Sequence, residues 1–165
     1  MGGADLNASV DERWLVELAA ALAETGLDAV VVGATAAVLQ SAPLMTQDVD
    51  LLVRSTQRNE AKLRRLGLRL GGSWMEVSPL SRARTLVGAP LHVDLLFDAL
   101  PGGLRFKSLK SRALRLEFGG HVLLVATLDD VIASKRAANR PKDRAHLPLL
   151  EETSRLVALL KGETR

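Results

Sequence analysis

The chain has 165 residues, 47% of them hydrophobic and 25% charged, and a formal net charge of +3. That length suits a single domain spanning 1–165 that can bury a core without staples, and the absence of cysteine removes disulfides, thiolate metal sites and thiol nucleophiles together. No apolar run approaches the ~20 residues that cross a bilayer, and Met1-Gly2-Gly3-Ala4-Asp5 lacks the basic-then-apolar order of a secretory signal, so a cytoplasmic protein with no membrane contact is expected.

Ser9-Val10-Asp11-Glu12 has capping-box spacing. It predicts a helix whose apolar positions are Trp14, Leu15, Leu18 and Leu22, ended by Gly26. Ala29-Val30-Val31-Val32 reads as a short strand running through Gly33 into a brief helix over 35–40. Pro43 breaks that helix, and Asp48-Val49-Asp50-Leu51-Leu52-Val53 reads as a second strand. Residues 56–66 form a basic helix carrying Arg58, Lys62, Arg64 and Arg65 against the single acid Glu60. Residues 84–88 and 91–97 predict a hairpin turning at Gly88-Ala89-Pro90, followed by a basic, acid-free segment over 105–115. A second hairpin, near 113–118 and 121–126, turns at Gly119-Gly120. Helices over 128–138 and 142–160, separated by Pro141, close the chain. The pattern is one α/β (α+β) domain, with a core over about 28–126 and a helical C-terminal part over about 127–161.

Sixteen Arg and six Lys favour phosphate-bearing partners. Two Trp, three Phe and no Tyr argue against a surface that reads single strands by stacking bases. The strongest chemical feature is Asp48-Val49-Asp50. Residues i and i+2 of a strand share a face, so both carboxylates project together and each opposes ionisation of the other. A solvent-facing strand end is the plain alternative; a hard cation such as Mg²⁺ is the functional one. His92-Val93-Asp94-Leu95-Leu96-Phe97-Asp98 alternates as well, with His92, Asp94 and Asp98 on one face. If that strand neighbours 48–53, Asp94 becomes a third carboxylate, and three acids on adjacent strands suit a two-metal phosphoryl-transfer site. Asp98 fits a turn and His92 a partly buried structural residue. Gly33 allows close backbone approach to a phosphate at a helix start.

Together, Gly33-Ala34, Asp48-Val49-Asp50 and Asp94 resemble the nucleotidyltransferase superfamily that shares the DNA polymerase beta-like palm. The run Pro43-Leu44-Met45-Thr46-Gln47-Asp48-Val49-Asp50-Leu51-Leu52-Val53 and the segment from Leu128 to Asp143 are similar to a compact bacterial branch that includes abortive-infection-type nucleotidyltransferase toxins. The resemblance covers roughly residues 28–150 and implies a nucleotidyltransferase-like mixed β-sheet flanked by helices, with C-terminal helices. It departs from the family at Ala34, where Ser or Gly is usual, and at Leu44, where an Arg often precedes the Thr. The resemblance implies a Mg²⁺-dependent (or Mn²⁺-dependent) transfer of NMP from an NTP, ATP among the candidates, to a hydroxyl acceptor. Asp48, Asp50 and Asp94 would be the metal-binding and catalytic residues, with Asp94 helping to activate the hydroxyl. Gly33, Ala34, Thr35, Lys135, Lys142 and Asp143 would bind the nucleotide, the lysines as phosphate contacts and Asp143 orienting them. RNA such as tRNA, a protein or a small molecule would be the acceptor, with a toxin–antitoxin connection and a partner subunit or homodimer as expected partners. Thr127 and Asp130 fit a helix cap instead.

Two rival hydrolases fit less well. Phosphatases with an aspartyl-phosphate intermediate place the acid after an apolar strand, and here Leu51-Leu52-Val53 come after the acids. His92, His121 and His146 lie in unrelated segments without zinc-ligand spacing. The non-enzyme alternative is a weak or inactive nucleotide- or RNA-binding, antitoxin-like module, using the basic segments 56–69 and 105–115 as its surfaces.

Overall fold

In the computed structural model, which describes residues 10–163, the first helix is α1 (Glu12–Thr25). Ser9, the expected cap, lies outside the described residues; Asp11 does the capping, accepting from the Arg13 backbone N–H at 2.9 Å. Leu15, Leu18 and Leu22 are buried along one face. Gly26 ends the helix in the left-handed region (φ 66°), a conformation glycine adopts without steric cost.

The chain continues as β1 (Val30–Val32), α2 (Gly33–Val38), β2 (Asp48–Val53), α3 (Gln57–Arg69), β3 (Ser73–Ser78), β4 (Ser81–Val87) and β5 (His92–Phe97). A small ribbon, β6 (Ala99–Leu100) with β7 (Leu104–Arg105), leads to α4 (Phe106–Arg112). The hairpin β8 (Leu114–Phe118) and β9 (His121–Val125) follows, then α5 (Leu128–Ala138) and α6 (Pro141–Glu163). Seven strands form one mixed sheet in the order β3-β4-β5-β2-β1-β9-β8. The β2–β5 and β1–β9 pairs are parallel and the rest antiparallel. The central strands are the most apolar: Val30, Val31, Val32, Leu51, Leu52 and Leu95 are essentially inaccessible, as strands covered on both faces require. No helix of the described residues is long and apolar enough to cross a membrane.

Several elements differ from the sequence expectation, the β6–β7 ribbon among them. β3 was unforeseen because SWMEVS has no clean alternation. Its inward residue is Trp74, whose indole N–H donates to the Leu63 carbonyl at 2.7 Å. β4 starts earlier than expected and pairs on both sides, with β3 and with β5. Within the basic stretch 105–115, α4 forms because Phe106 and Leu109 are buried. Pro141 separates the last helices as expected by opening the second of them, where its missing N–H costs nothing.

The cations of α3 have a structural explanation. Lys62 and Arg65 donate to the carbonyls of Gly26 and Thr25 at the end of α1, and Arg69 bridges Glu24 at 2.7 Å and Glu17 at 3.2 Å. Cations at a helix C-terminus satisfy orphan carbonyls and oppose its dipole. Arg69→Ala is expected to give a small loss of thermal stability that shrinks further in 1 M salt, because these pairs are solvent-exposed. A salt-independent loss would show that packing, and not charge, carries the contact.

Candidate active site

The site is built at the end of β1 and the beginnings of β2 and β5. The β2 and β5 strands run parallel in register, so Asp50 stands directly beside Asp94, and Asp48 beside His92. Adjacent strands are about 4.8 Å apart and residues i and i+2 share a face. The three acids therefore occupy one small area of the sheet. The adjacency on which Asp94 depended is present. Asp48 is exposed, whereas Asp50 and Asp94 are half-buried.

Burial pushes the Asp50 carboxyl up to about 6, with the charges of Asp94 and then Asp48 adding to the rise; Lys135 and Lys142 oppose it. The donor set is all oxygen and strongly anionic, which fits a hard divalent cation such as Mg²⁺. The observation behind that fit is the gathering of Asp48, Asp50 and Asp94 on one wall of one cavity, where like charges make ionisation costly and a cation would remove the cost. Among the described residues no three acidic or histidine side chains are already gathered into a metal cage. The acids are neighbours by register, not a closed ligand set.

Gly33 explains why the β1–α2 turn passes so close. Its φ is +69°, and a Cβ built there would lie 2.6 Å from Oδ2 of Asp50. Gly33→Ala is expected to cost about 1–2 kcal/mol for the left-handed backbone alone. It should also displace the Asp50 carboxylate, lowering turnover by roughly 100-fold, the scale of a 1 Å misplacement. Thermal unfolding and a transfer assay measure the two effects. Full activity in this variant would mean the position of that carboxylate is unimportant.

Of the three residues expected at this turn, Gly33 and Ala34 line the cavity in front of the acids and Thr35 does not. The Thr35 side chain is buried, and its hydroxyl donates to the Asp48 carbonyl at 2.6 Å. It pins the start of β2 and so acts on the site through the backbone. Leu44, where the family often carries arginine, is part of the core.

The opposite wall comes from the α5–α6 corner. Asn139 ends α5 in the left-handed region (φ 50°), and Pro141 starts α6 immediately after Arg140. Asp143 is wholly buried and reaches back to the Arg140 backbone N–H at 3.1 Å, as the third helical residue does in a capping box. The same carboxylate accepts from Arg140 Nε at 2.7 Å and pairs with buried Lys135 at 3.4 Å. Burial alone would raise the Asp143 pKa, but the hydrogen bonds and charge of Arg140, with Lys135, hold it below the usual range. Asp143 therefore holds Lys135 but not Lys142, which shares the cavity wall with both. Arg140 is a further cation of the site that the expected nucleotide contacts do not include. Its signal was the Arg-Pro-Lys-Asp spacing, which is a helix start that returns an acid to the arginine. His146 sits behind this corner, its pKa lowered by burial and by Lys135 and Lys142.

One cavity of about 730 Å³ joins Asp48, Asp50 and Asp94 to Gly33, Lys135 and Arg140, with Lys142 and Asp143 also on its wall. Acids and cations therefore face a common space. Asp98 lies outside it, in a left-handed turn (φ 69°) where it accepts from the Ser55 N–H and pairs with Arg82. Thr127 caps α5 through the Asp130 N–H at 3.1 Å, and Asp130 pairs with Arg112. Both are structural, as expected.

No protein-family profile matches the sequence, and no curated protein matches it. Solved structures do resemble it. The antibiotic-resistance factor ANT(2")-Ia, in a crystal structure with adenylyl-2"-tobramycin, superposes with a TM-score of 0.58 at 15% identity, covering 93% of this chain and 98% of that one. The lincosamide antibiotic adenylyltransferase LnuA, bound to lincomycin, gives 0.60 at 10% identity over 87% of this chain and 98% of that one. A nucleotidyltransferase-like protein from Paracoccidioides brasiliensis gives 0.52 at 18% identity over 88% and 75%. At these identities the likeness is one of fold: this chain has the nucleotidyltransferase fold.

Proposed function

We propose that the protein is a metal-dependent nucleotidyltransferase that moves an NMP from an NTP to a hydroxyl acceptor. One observation carries the reading: Asp50 and Asp94 are register partners on adjacent parallel strands and face the Lys135–Arg140–Lys142 corner across a single cavity. The solved neighbours that act on antibiotics share this fold and support the reaction class. They do not name the acceptor, which is RNA such as tRNA, a protein or a small molecule. A toxin–antitoxin role belongs to the same proposal.

Asp48, Asp50 and Asp94 would hold Mg²⁺. When bound, that ion supplies charge neutralisation at the α-phosphate and lowers the pKa of a nearby hydroxyl. Everything else falls to this chain's residues. Lys142 and Arg140 meet the triphosphate at the mouth of the cavity, and Lys135, held by Asp143, presents a fixed positive charge deeper in. Gly33 lets the backbone approach the acid cluster without a side chain in the way. Asp94 is positioned to accept the proton of the attacking hydroxyl while pyrophosphate departs, a general-base role a carboxylate fills when oriented by its strand.

The binding-only alternative depended on the basic segments. In the structure Lys62, Arg65 and Arg69 are tied to α1, Lys110 pairs with Asp28 and Arg112 with Asp130. Much of that charge is committed to the fold, which favours the enzyme reading. The test is label transfer from each α-labelled NTP with Mg²⁺, in lysate containing RNA and protein, beside Asp50→Ala. Label on an acceptor only with the wild type is expected. Identical results for both proteins, with neither binding Mg·NTP, would overturn the proposal.

A further inference from the structure

The acid row of the sheet does not stop at Asp94. Across four strands the register sets Asp50 beside Asp94, Asp94 beside Thr85, and Thr85 beside Met75. At the strand spacing of about 4.8 Å this row extends roughly 10 Å beyond Asp94, away from the cationic corner. One step along the strands, Leu96, Ala83 and Val77 line the same cavity as the acids. Val77 and Met75 are 60% and 55% exposed, unusual for aliphatic residues beside a polar site.

The charges of this hairpin all serve another face. Arg84 pairs with Glu60 at 2.8 Å and lies over the Phe97 ring, and Arg82 pairs with Asp98 at 3.0 Å. Glu76 is the register partner of Arg84. Alternation puts Met75, Thr85 and Ala83 on the acid-side face, and Val77, beside a register shift between Glu76 and Ser78, lines the cavity with Ala83 and Leu96, so this wall carries no charge beyond the three acids.

Resting on the transferase reading, we infer that this wall seats the acceptor, and that the acceptor is a small compound with an uncharged, largely apolar body bearing the attacking hydroxyl. An RNA backbone would find no cation on this wall, and a polycation would find no acid beyond Asp94. Val77 and Ala83 line the same cavity of about 730 Å³ as the Lys135–Arg140–Lys142 corner, so a body seated on this wall shares one space with the nucleotide. The hydroxyl oxygen forms a bond to the α-phosphorus as the bond to the bridging oxygen breaks. Pyrophosphate carries off that electron pair, and the hydroxyl proton passes to the Asp94 carboxylate.

The test titrates the full chain with 2-naphthol, a neutral aromatic alcohol, by its fluorescence, beside neomycin as a polycation and an RNA hairpin ending in a free 3′-hydroxyl. Saturable binding of 2-naphthol is expected, with Kd raised at least about tenfold in Val77→Asp and again in Ala83→Asp, where a carboxylate is set into the wall. Leu80→Asp, at the fully exposed tip of the hairpin, should bind as the wild type does. Equal affinity in all four proteins, or tighter binding of neomycin or the RNA to the wild type, overturns the inference. The same mixtures with α-labelled NTP and Mg²⁺ separate the two readings. Label passing to RNA or neomycin, with no naphthol binding, overturns the acceptor and leaves the transferase standing. Naphthol binding without transfer to any acceptor overturns the transferase, and the acceptor assignment with it.

Discussion

Asp50→Asn is expected to lose transfer activity while making the metal-free protein more stable at pH 7.5. In activity the fall should exceed about 100-fold, beyond the range typical when only an outer partner of a metal ligand is lost. The gain in stability follows from linkage. The Asp50 carboxyl is raised to about 6 in the folded chain, from an ordinary value of 3.8, by burial and by Asp94 and Asp48. Between those two values the folded state holds a proton that the unfolded chain has released, so stability falls as pH rises through this window. Above about pH 6 the whole penalty is present, and below about pH 4 it is absent. A shift of roughly two units corresponds to at most about 3 kcal/mol, and partial solvent access lowers it, so a gain of about 1–3 kcal/mol is expected at pH 7.5 in EDTA. At pH 4 the wild type and the variant should unfold together. Urea unfolding at the two pH values measures this. A variant less stable than the wild type at pH 7.5 would show that Asp50 makes favourable contacts in the metal-free fold, contrary to the argument.

Asp143→Ala should be the most damaging single change to the fold. The carboxylate has no exposed surface, and it neutralises Lys135, itself only 8% exposed, while fixing Arg140 at the helix start. Removing one partner of a buried ion pair strands the other, at a cost of about 3–5 kcal/mol. Arg140 can turn to water, since its side chain is 71% exposed, whereas the Lys135 side chain is 9% exposed and has little such freedom. The loss should therefore be largely repaired in the double variant Asp143→Ala with Lys135→Met, which removes the stranded charge. A double-mutant cycle by urea unfolding gives the coupling directly. A single-variant loss below about 1 kcal/mol, or no repair in the pair, would refute the stranded-charge account. Because the Asp143 pKa lies below its unfolded value, its contribution is complete above about pH 4 and is lost as pH falls through the folded pKa.

Asp50 and Asp143 differ in how far neighbouring residues specify their surroundings. Local chemistry was legible without coordinates. Asp48-Val49-Asp50 is a strand by alternation, Asp94 belongs to another, and Gly33 and Gly26 stand where a left-handed backbone is needed. These features depend on periods of two and on single-residue stereochemistry, which neighbouring residues determine. The order of strands does not. That β5 lies parallel beside β2, with Asp94 against Asp50 and not one residue out of step, is set by burial of Val49, Leu51, Val93 and Leu95 from strands some forty residues apart.

Side-chain partners at long range were equally hidden. The cations of α3, which the binding-module alternative assigns to a nucleic-acid surface, meet Glu17, Glu24 and two bare carbonyls of α1. Thr35 looked like a ligand contact until the Asp48 carbonyl proved to be its partner. β3 gave no alternating signal because it is an edge strand with a single inward Trp74, and an edge tolerates what a central strand does not. The amino-acid sequence alone determined the longer helices, the apolar strands and the placing of Asp48, Asp50 and Asp94 on strands, because each follows from short-range periodicity and backbone preference. Only the tertiary structure decided which charges are spent on the fold, which face the cavity, and that the wall beyond Asp94 is uncharged, because those outcomes depend on burial and pairing between residues far apart in the chain.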